Sequence, residues 1–194
     1  MTTPVFLYIS QEKPDIQKVD DFLPTSKALY VDGLLGDGWQ GSTETPETES
    51  VLTGELPLSA LIKTTKLKNW DIVQGMNHHL KFNMLDEFQK KDLWDDLSIL
   101  KKHYQVIVIS VPASISEFSF YLKQEIQGIL IAVPSSMTQA VEVLHLLSEI
   151  GKKYQGNVFF MVSETDPKMM LDFLKKQVQK LTQFTCSFNM RYAL

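Results

Sequence analysis

Residues 104–134 read YQVIVISVPASISEFSFYLKQEIQGILIAVP, and the architecture expected for the whole chain follows from them. Gln105–Ile109 is an apolar, β-branched run without alternation, which is typical of a strand buried on both faces in a parallel sheet. A short turn follows, and then a helical span at Glu117–Gln127. A second apolar run at Gly128–Pro134 completes the unit. This order of strand, turn, helix and strand predicts a parallel strand pair with a right-handed crossover.

The rest of the chain repeats this alternation of apolar, β-rich runs with helical spans. The predicted strands begin at Val5, Ala28, Trp70, Gln105, Gly128, Asn157 and Phe184. The predicted helices are Asp15–Phe22, Asn83–His103, Met137–Lys153 and Pro167–Gln183. The second of these is expected to turn one apolar side inward, formed by Leu85, Phe88, Leu93, Leu97 and Leu100. We therefore expect residues 1–194 to form a single doubly wound α/β domain, with about six or seven mostly parallel strands flanked by helices.

One segment departs from the alternation. Residues 37–50 are rich in glycine, serine, threonine and glutamate, which predicts a mobile acidic loop. This loop contains Trp39, which either anchors a protein partner or folds back onto the domain. After the loop, Leu58, Leu61 and Ile62 share one helical face.

Composition excludes several classes of protein. The chain has 194 residues, 44% hydrophobic and 22% charged, and a net charge of −4, so no general affinity for nucleic acid or anionic membranes is implied. No apolar run is long enough to cross a membrane, and the first residues do not resemble a secretion signal, so we expect a cytoplasmic protein. Cys186 is the only cysteine and lies in an apolar segment, which favours a buried, unreactive thiol. His78 and His79 lack a companion cluster of ligands, so no metal site is expected.

The order and spacing of these elements from Ala28 onward resemble the MinD/ParA family of P-loop ATPases, and within it the FlhG (FleN) and MinD proteins. The resemblance lies in an apolar strand at Gln105–Ile109, a short turn containing proline and alanine, and a second apolar strand that ends at Pro134. It implies a P-loop NTPase-like fold, in which Ser50–Ile62 corresponds to two short helices separated by a turn at Gly54 and Glu55. In that family, two subunits meet across bound nucleotides.

The residues that bind and hydrolyse ATP in this family are not matched here. The family has a glycine-rich loop ending Gly-Lys-Thr after its first strand, whereas the corresponding loop here carries Lys13 and no glycine. The family has two aspartates after its second strand; Asp32 matches the first, and Leu34 stands at the second. Ser110 replaces the aspartate at the end of the switch II strand, and Ser163 stands where relatives have an adenine-reading asparagine. The resemblance therefore implies a degenerate site without cofactor, metal or catalytic residues.

The residues leave simpler interpretations of the same positions. Asp32 alone suits a turn or a cap, and Lys13 suits a solvated surface charge. Ser110 has no neighbouring histidine and no Gly-x-Ser-x-Gly elbow, which argues against a nucleophile. If Lys13 and Ser110 are surface or turn positions, alanine at either should change stability by no more than about 0.5 kcal/mol. The alternative hypothesis is an enzyme or nucleotide-binding protein with a non-standard site at the carboxyl ends of the strands, built from Asp32, Ser110, Ser114, Ser135 and Ser136.

The leading hypothesis is a non-catalytic relative of the MinD/FlhG ATPases that binds proteins during spatial regulation or assembly. The resemblance implies a bacterial flagellum, pilus, secretion or cell-division apparatus as the setting. The partner would be an active MinD/FlhG-like ATPase, an apparatus component or a second copy, with no nucleic acid and no stable membrane insertion. The candidate interface consists of Leu34, Leu35 and Trp39, because apolar side chains around a former nucleotide site favour a covered surface.

Overall fold

The computed structural model describes residues 3–9, 16–32, 50–51, 53–73, 85–111, 124–181 and 185–191. Its strands are β1 (Val5–Ile9), β2 (Ala28–Asp32), β3 (Ile62–Thr64), β4 (Trp70–Val73), β5 (Val106–Val111), β6 (Gly128–Ala132), β7 (Asn157–Met161) and β8 (Thr185–Asn189). Its helices are α1 (Ile16–Phe22), α2 (Glu87–Leu100), α3 (Met137–Ile150) and α4 (Lys168–Val178), and a 3-10 helix covers Leu58–Leu61.

The described strands form one eight-stranded sheet in the order β3-β4-β2-β5-β1-β6-β7-β8. Strand β2 runs parallel to both β4 and β5, and β6 runs parallel to both β1 and β7. Strand β8 runs parallel to β7, whereas the edge strand β3 runs antiparallel to β4. The predicted doubly wound α/β class with a mostly parallel sheet and flanking helices is therefore confirmed.

The chain divides into two compact units, of which the first comprises Met1–Val5 and Thr25–Ser110. Strand β5 is buried along its whole length, as an unbroken apolar run predicts. Helix α2 begins with a capping box, in which Asp86 accepts from the backbone N–H of Gln89 and the Gln89 side chain accepts from that of Asp86. A carboxylate oxygen of Asp96 on α2 accepts a 2.7 Å hydrogen bond from the backbone N–H of Leu58, which ties the 3-10 helix to α2.

The second unit comprises Phe6–Pro24 and Val111–Leu194. Helices α3 and α4 pack against each other. They bury the apolar side chains Ala140, Val143, Leu146, Leu147 and Ile150 of α3, and Met170, Leu174 and Val178 of α4. Gly128 opens β6 where the ring of Phe159 on β7 approaches closely: a Cβ atom at this position would lie 2.7 Å from the Phe159 Cε2 atom. The strand requires glycine here because of that close approach.

Several sequence predictions are wrong in detail. Ser50–Ile62 has helical residues at 50 and 51 and the 3-10 helix at Leu58–Leu61, but it also contains the first residue of β3, a strand that the sequence did not predict. Residues 124–127 are not helical, although the helix predicted at Glu117–Gln127 included them. Phe88 points outward with 80% of its surface exposed, whereas Leu93, Leu97 and Leu100 face inward as predicted. With only three buried leucines on α2, the inward apolar face is narrower than its sequence suggests.

Candidate functional site

The carboxyl ends of β2 and β5 meet at the point where the resemblance predicts nucleotide chemistry. The two strands are parallel neighbours, and their register pairs Asp32 with Ser110. In a doubly wound fold, ligands bind outside the carboxyl ends of the strands. The structure therefore places the backbones of two predicted site residues side by side within the first unit.

Ser110 is the buried polar residue among the core side chains of the described part of the chain, with 1% of its surface exposed. It lies inside β5 rather than in a turn, so the prediction that it is a surface or turn position is wrong. Its Oγ atom is buried and has no hydrogen-bond partner within the described part of the chain. A buried hydroxyl without a partner costs about 1–3 kcal/mol. A serine nucleophile needs a base within hydrogen-bond reach, and none contacts this hydroxyl.

Other predicted site residues lie outside the described residues. These are Lys13, Leu34, Leu35, Trp39 and Ser114, together with residues 37–49 of the predicted loop and the pair His78 and His79. For Asp32, the structure describes the backbone, which lies at the end of β2. The roles expected for these residues remain predictions.

Ser163 follows β7 in the second unit and is exposed. Its backbone N–H donates to a carboxylate oxygen of Asp166 at 2.7 Å, and its Oγ atom lies 2.9 Å from the Oγ1 atom of Thr165. Both polar groups of Ser163 therefore take part in the turn that follows β7. This arrangement explains the residue as a turn former.

Two serines of the alternative enzyme hypothesis, Ser135 and Ser136, lie at the start of helix α3. Ser136 is the N-cap of α3, and its Oγ atom accepts from the backbone N–H of Gln139 at 3.3 Å. The Oγ atom of Ser135 donates to the side-chain oxygen of Gln139 at 2.9 Å. This is ordinary capping chemistry. Ser135 and Ser136 lie in the second unit, while Asp32 and Ser110 belong to the first.

Sequence reasoning missed a polar cluster beside the starts of β2, β4 and β5. The Tyr104 hydroxyl donates to a carboxylate oxygen of Asp71 at 2.9 Å, and the Nζ atom of Lys27 lies 5.1 Å from the centre of the Tyr104 ring. Burial, followed by the hydrogen bond to Asp71, raises the pKa of Tyr104 above its ordinary value of 10.0. Asp71, an aspartate inside the apolar run of β4, could have indicated this cluster from the sequence, because a charged residue in such a strand requires a partner.

Cys186 on β8 is half-buried. Burial raises the pKa of its thiol to about 11, so the thiol is protonated at neutral pH. The predicted unreactive character of this cysteine agrees with that environment. Within the described ranges, no three histidine, cysteine or carboxylate side chains are grouped closely enough to hold a metal ion. No helix in the part of the chain that the structure describes combines the length and the apolar character needed to span a membrane.

Comparison with solved structures finds the same fold in several proteins. A ParA family ATPase from Chlorobium tepidum TLS superposes with a TM-score of 0.63 at 15% identity, covering 99% of this chain and 85% of that one. Cobyrinic acid a,c-diamide synthase from Mycobacterium smegmatis gives 0.58 at 13% identity, covering 91% and 81%. A plasmid partition protein from Borrelia burgdorferi gives 0.58 at 14% identity, covering 94% and 89%.

No protein-family model matches the sequence, and no curated protein matches it. At identities this low, the similarity to solved structures establishes the fold. The resemblance to the MinD/ParA ATPases is thus confirmed as a shared P-loop NTPase-like fold.

Proposed function

We propose that this chain uses the ParA-type fold as a protein-binding module and does not hydrolyse ATP. One neighbour in fold is a ParA family ATPase and another is a plasmid partition protein, so the fold itself is compatible with both nucleotide chemistry and spatial organisation. The choice between these rests on the residues at the carboxyl ends of the strands.

The observation that carries the proposal is Ser110. The resembling ATPases have an aspartate at the end of this strand, where its charge helps to organise metal and water. Phosphoryl transfer depends on phosphate cradling, metal binding and water positioning. Ser110 is neutral and 1% exposed, and its hydroxyl has no hydrogen-bond partner among the described residues, so it supplies no charge for that purpose. The strand keeps its place in the sheet beside β2, so serine at this position is compatible with the fold.

The glycine-free loop that carries Lys13 and the leucine at position 34 support the same proposal from sequence. A loop without glycine is poorly suited to wrapping a phosphate, and leucine cannot bind magnesium through water. The partner that we propose is an active ParA-type ATPase or a component of a larger assembly. Leu34, Leu35 and Trp39 are the proposed contact residues.

A titration with a fluorescent ATP analogue, with and without Mg²⁺, tests the proposal. The Chlorobium tepidum ParA family ATPase serves as a positive control, because it shares the fold. We expect no Mg²⁺-dependent binding at micromolar concentrations by this chain and no phosphate release above the rate of buffer alone. Saturable, Mg²⁺-dependent binding, or hydrolysis that an Asp32→Asn substitution abolishes, would show that the site is functional and that the proposal is wrong.

A further inference from the structure

The two edges of the sheet are built differently. At one edge, β3 has three residues and an exposed lysine at position 63, and the exposed Lys66 and Lys68 follow closely. Short length and lysine side chains are devices that keep an edge strand from pairing with another chain. At the other edge, β8 has five residues, TCSFN, with no charged residue and no proline. The exposed Arg191 follows β8 by two residues, but within the strand itself β8 lacks the lysine and the short length that protect β3.

The backbone groups that β8 turns outward can be assigned from its pairing with β7. The backbone N–H of Val162 donates to the carbonyl oxygen of Asn189 at 2.9 Å, so the polar groups of Asn189 face β7. Backbone groups alternate in direction along a strand, and hence Cys186 and Phe188 turn their N–H and C=O groups away from β7. These groups lie at the outer edge of the sheet, where a further strand would bind.

The two outward residues are placed symmetrically about Ser187, which makes the edge complementary to itself. We propose that β8 pairs in antiparallel orientation with β8 of a second copy, about a twofold axis that passes beside Ser187. In this register, Cys186 of each copy lies opposite Phe188 of the other, and the two pairs exchange four backbone hydrogen bonds. Ser187 then lies opposite Ser187 of the second copy. The contact is isologous, as in most dimers of identical chains.

The side chains suit this register better than pairing with a charged or unrelated strand. The face of β8 that carries Ser187 also carries Thr185 and Asn189, so each Thr185 would lie opposite Asn189 of the other copy, where the two polar side chains can hydrogen-bond. On the opposite face, Phe188 stacks on Phe160 with ring centres 4.5 Å apart, so the edge is already held rigid before it pairs. No like charges meet in this arrangement.

Disulfide trapping tests the register directly. In antiparallel pairs, residues at non-hydrogen-bonded positions have Cα atoms about 4.5 Å apart, which is within the range of a disulfide. Chains that carry Cys186→Ser together with Ser187→Cys should form covalent dimers under mild oxidation. The matched control combines Cys186→Ser with Thr185→Cys. The cysteine at position 185 is more exposed, but in this register the two copies of residue 185 are four positions apart along the strands, which is about 13 Å. Equal trapping of both variants would indicate random collision and overturn the proposal.

Charge pairing provides a second test that does not depend on any one variant folding well. Ser187→Lys and Ser187→Glu each place like charges opposite each other on the axis, and each alone should lower the dimer fraction in light scattering over a concentration series up to about 1 mM. Mixing the two variants should restore it. Circular dichroism checks that each variant keeps its fold. A monomeric wild type with no selective trapping at Ser187→Cys, or a mixture no more associated than its components, contradicts the proposal. Neither result depends on nucleotide binding.

Discussion

Replacing Ser110 with alanine should make the protein more stable. Most substitutions of buried residues lower stability, but Ser110 is 1% exposed and its hydroxyl has no hydrogen-bond partner among the described residues. Removing an unsatisfied hydroxyl recovers a desolvation cost of about 1–3 kcal/mol. The loss of one oxygen atom from a packed strand offsets part of this gain, because cavities cost about 24 cal/mol per Å³. We expect a net increase of about 1 kcal/mol in the free energy of unfolding.

Urea unfolding followed by circular dichroism measures this change, with an unchanged dependence on urea concentration showing that the unfolded state is unaffected. For a chain of this length, about 1 kcal/mol corresponds to roughly 2–4 °C in Tm. The control is Thr65→Val, which removes a hydroxyl that donates to the carbonyl oxygens of Leu67 and Trp70 at 3.0 and 2.8 Å. That change should destabilise by about 1 kcal/mol.

Ser110→Ala and Thr65→Val should therefore change the free energy of unfolding in opposite directions. If Ser110→Ala lowers the free energy of unfolding as much as Thr65→Val does, the Ser110 hydroxyl has a stabilising partner and the reasoning is refuted. Protein-partner binding should be unaffected by Ser110→Ala, because the side chain is not accessible.

Three further predictions rest on other parts of the chain. Gly128→Ala should destabilise by about 1–3 kcal/mol in urea unfolding, because its Cβ would meet the Phe159 ring at 2.7 Å; an unchanged midpoint would show that the ring moves freely. The raised pKa of Tyr104 contributes stability that is present below pH 10 and is lost as the pH rises toward the folded-state pKa. Tyr104→Phe should therefore make the free energy of unfolding fall less steeply with pH above pH 10. If the wild type and the variant lose stability with the same slope, the prediction is wrong. Leu35→Glu should weaken partner association by a few kcal/mol in a titration, unless Leu35 lies outside the contact.

Most strands and helices could be located from the sequence alone. Buried parallel strands are contiguous apolar runs, so the starts of β1, β2, β4, β6 and β7 were predicted to the residue. Helix ends were less certain, because the last turn of a helix depends on local capping rather than on periodicity. The helix predicted to Lys153 ends at Ile150, and the one predicted to Gln183 ends at Val178.

The features that bear on function depend on tertiary contacts and could not be predicted from local sequence. Pairing with β2 extends β5 through Ser110, which turns an expected turn residue into a buried one. Strand β3 exists because β4 provides a template for it, and three residues carry too little pattern to reveal a strand. Burial and exposure at these places depend on which distant strand is the neighbour, and local sequence does not encode that choice.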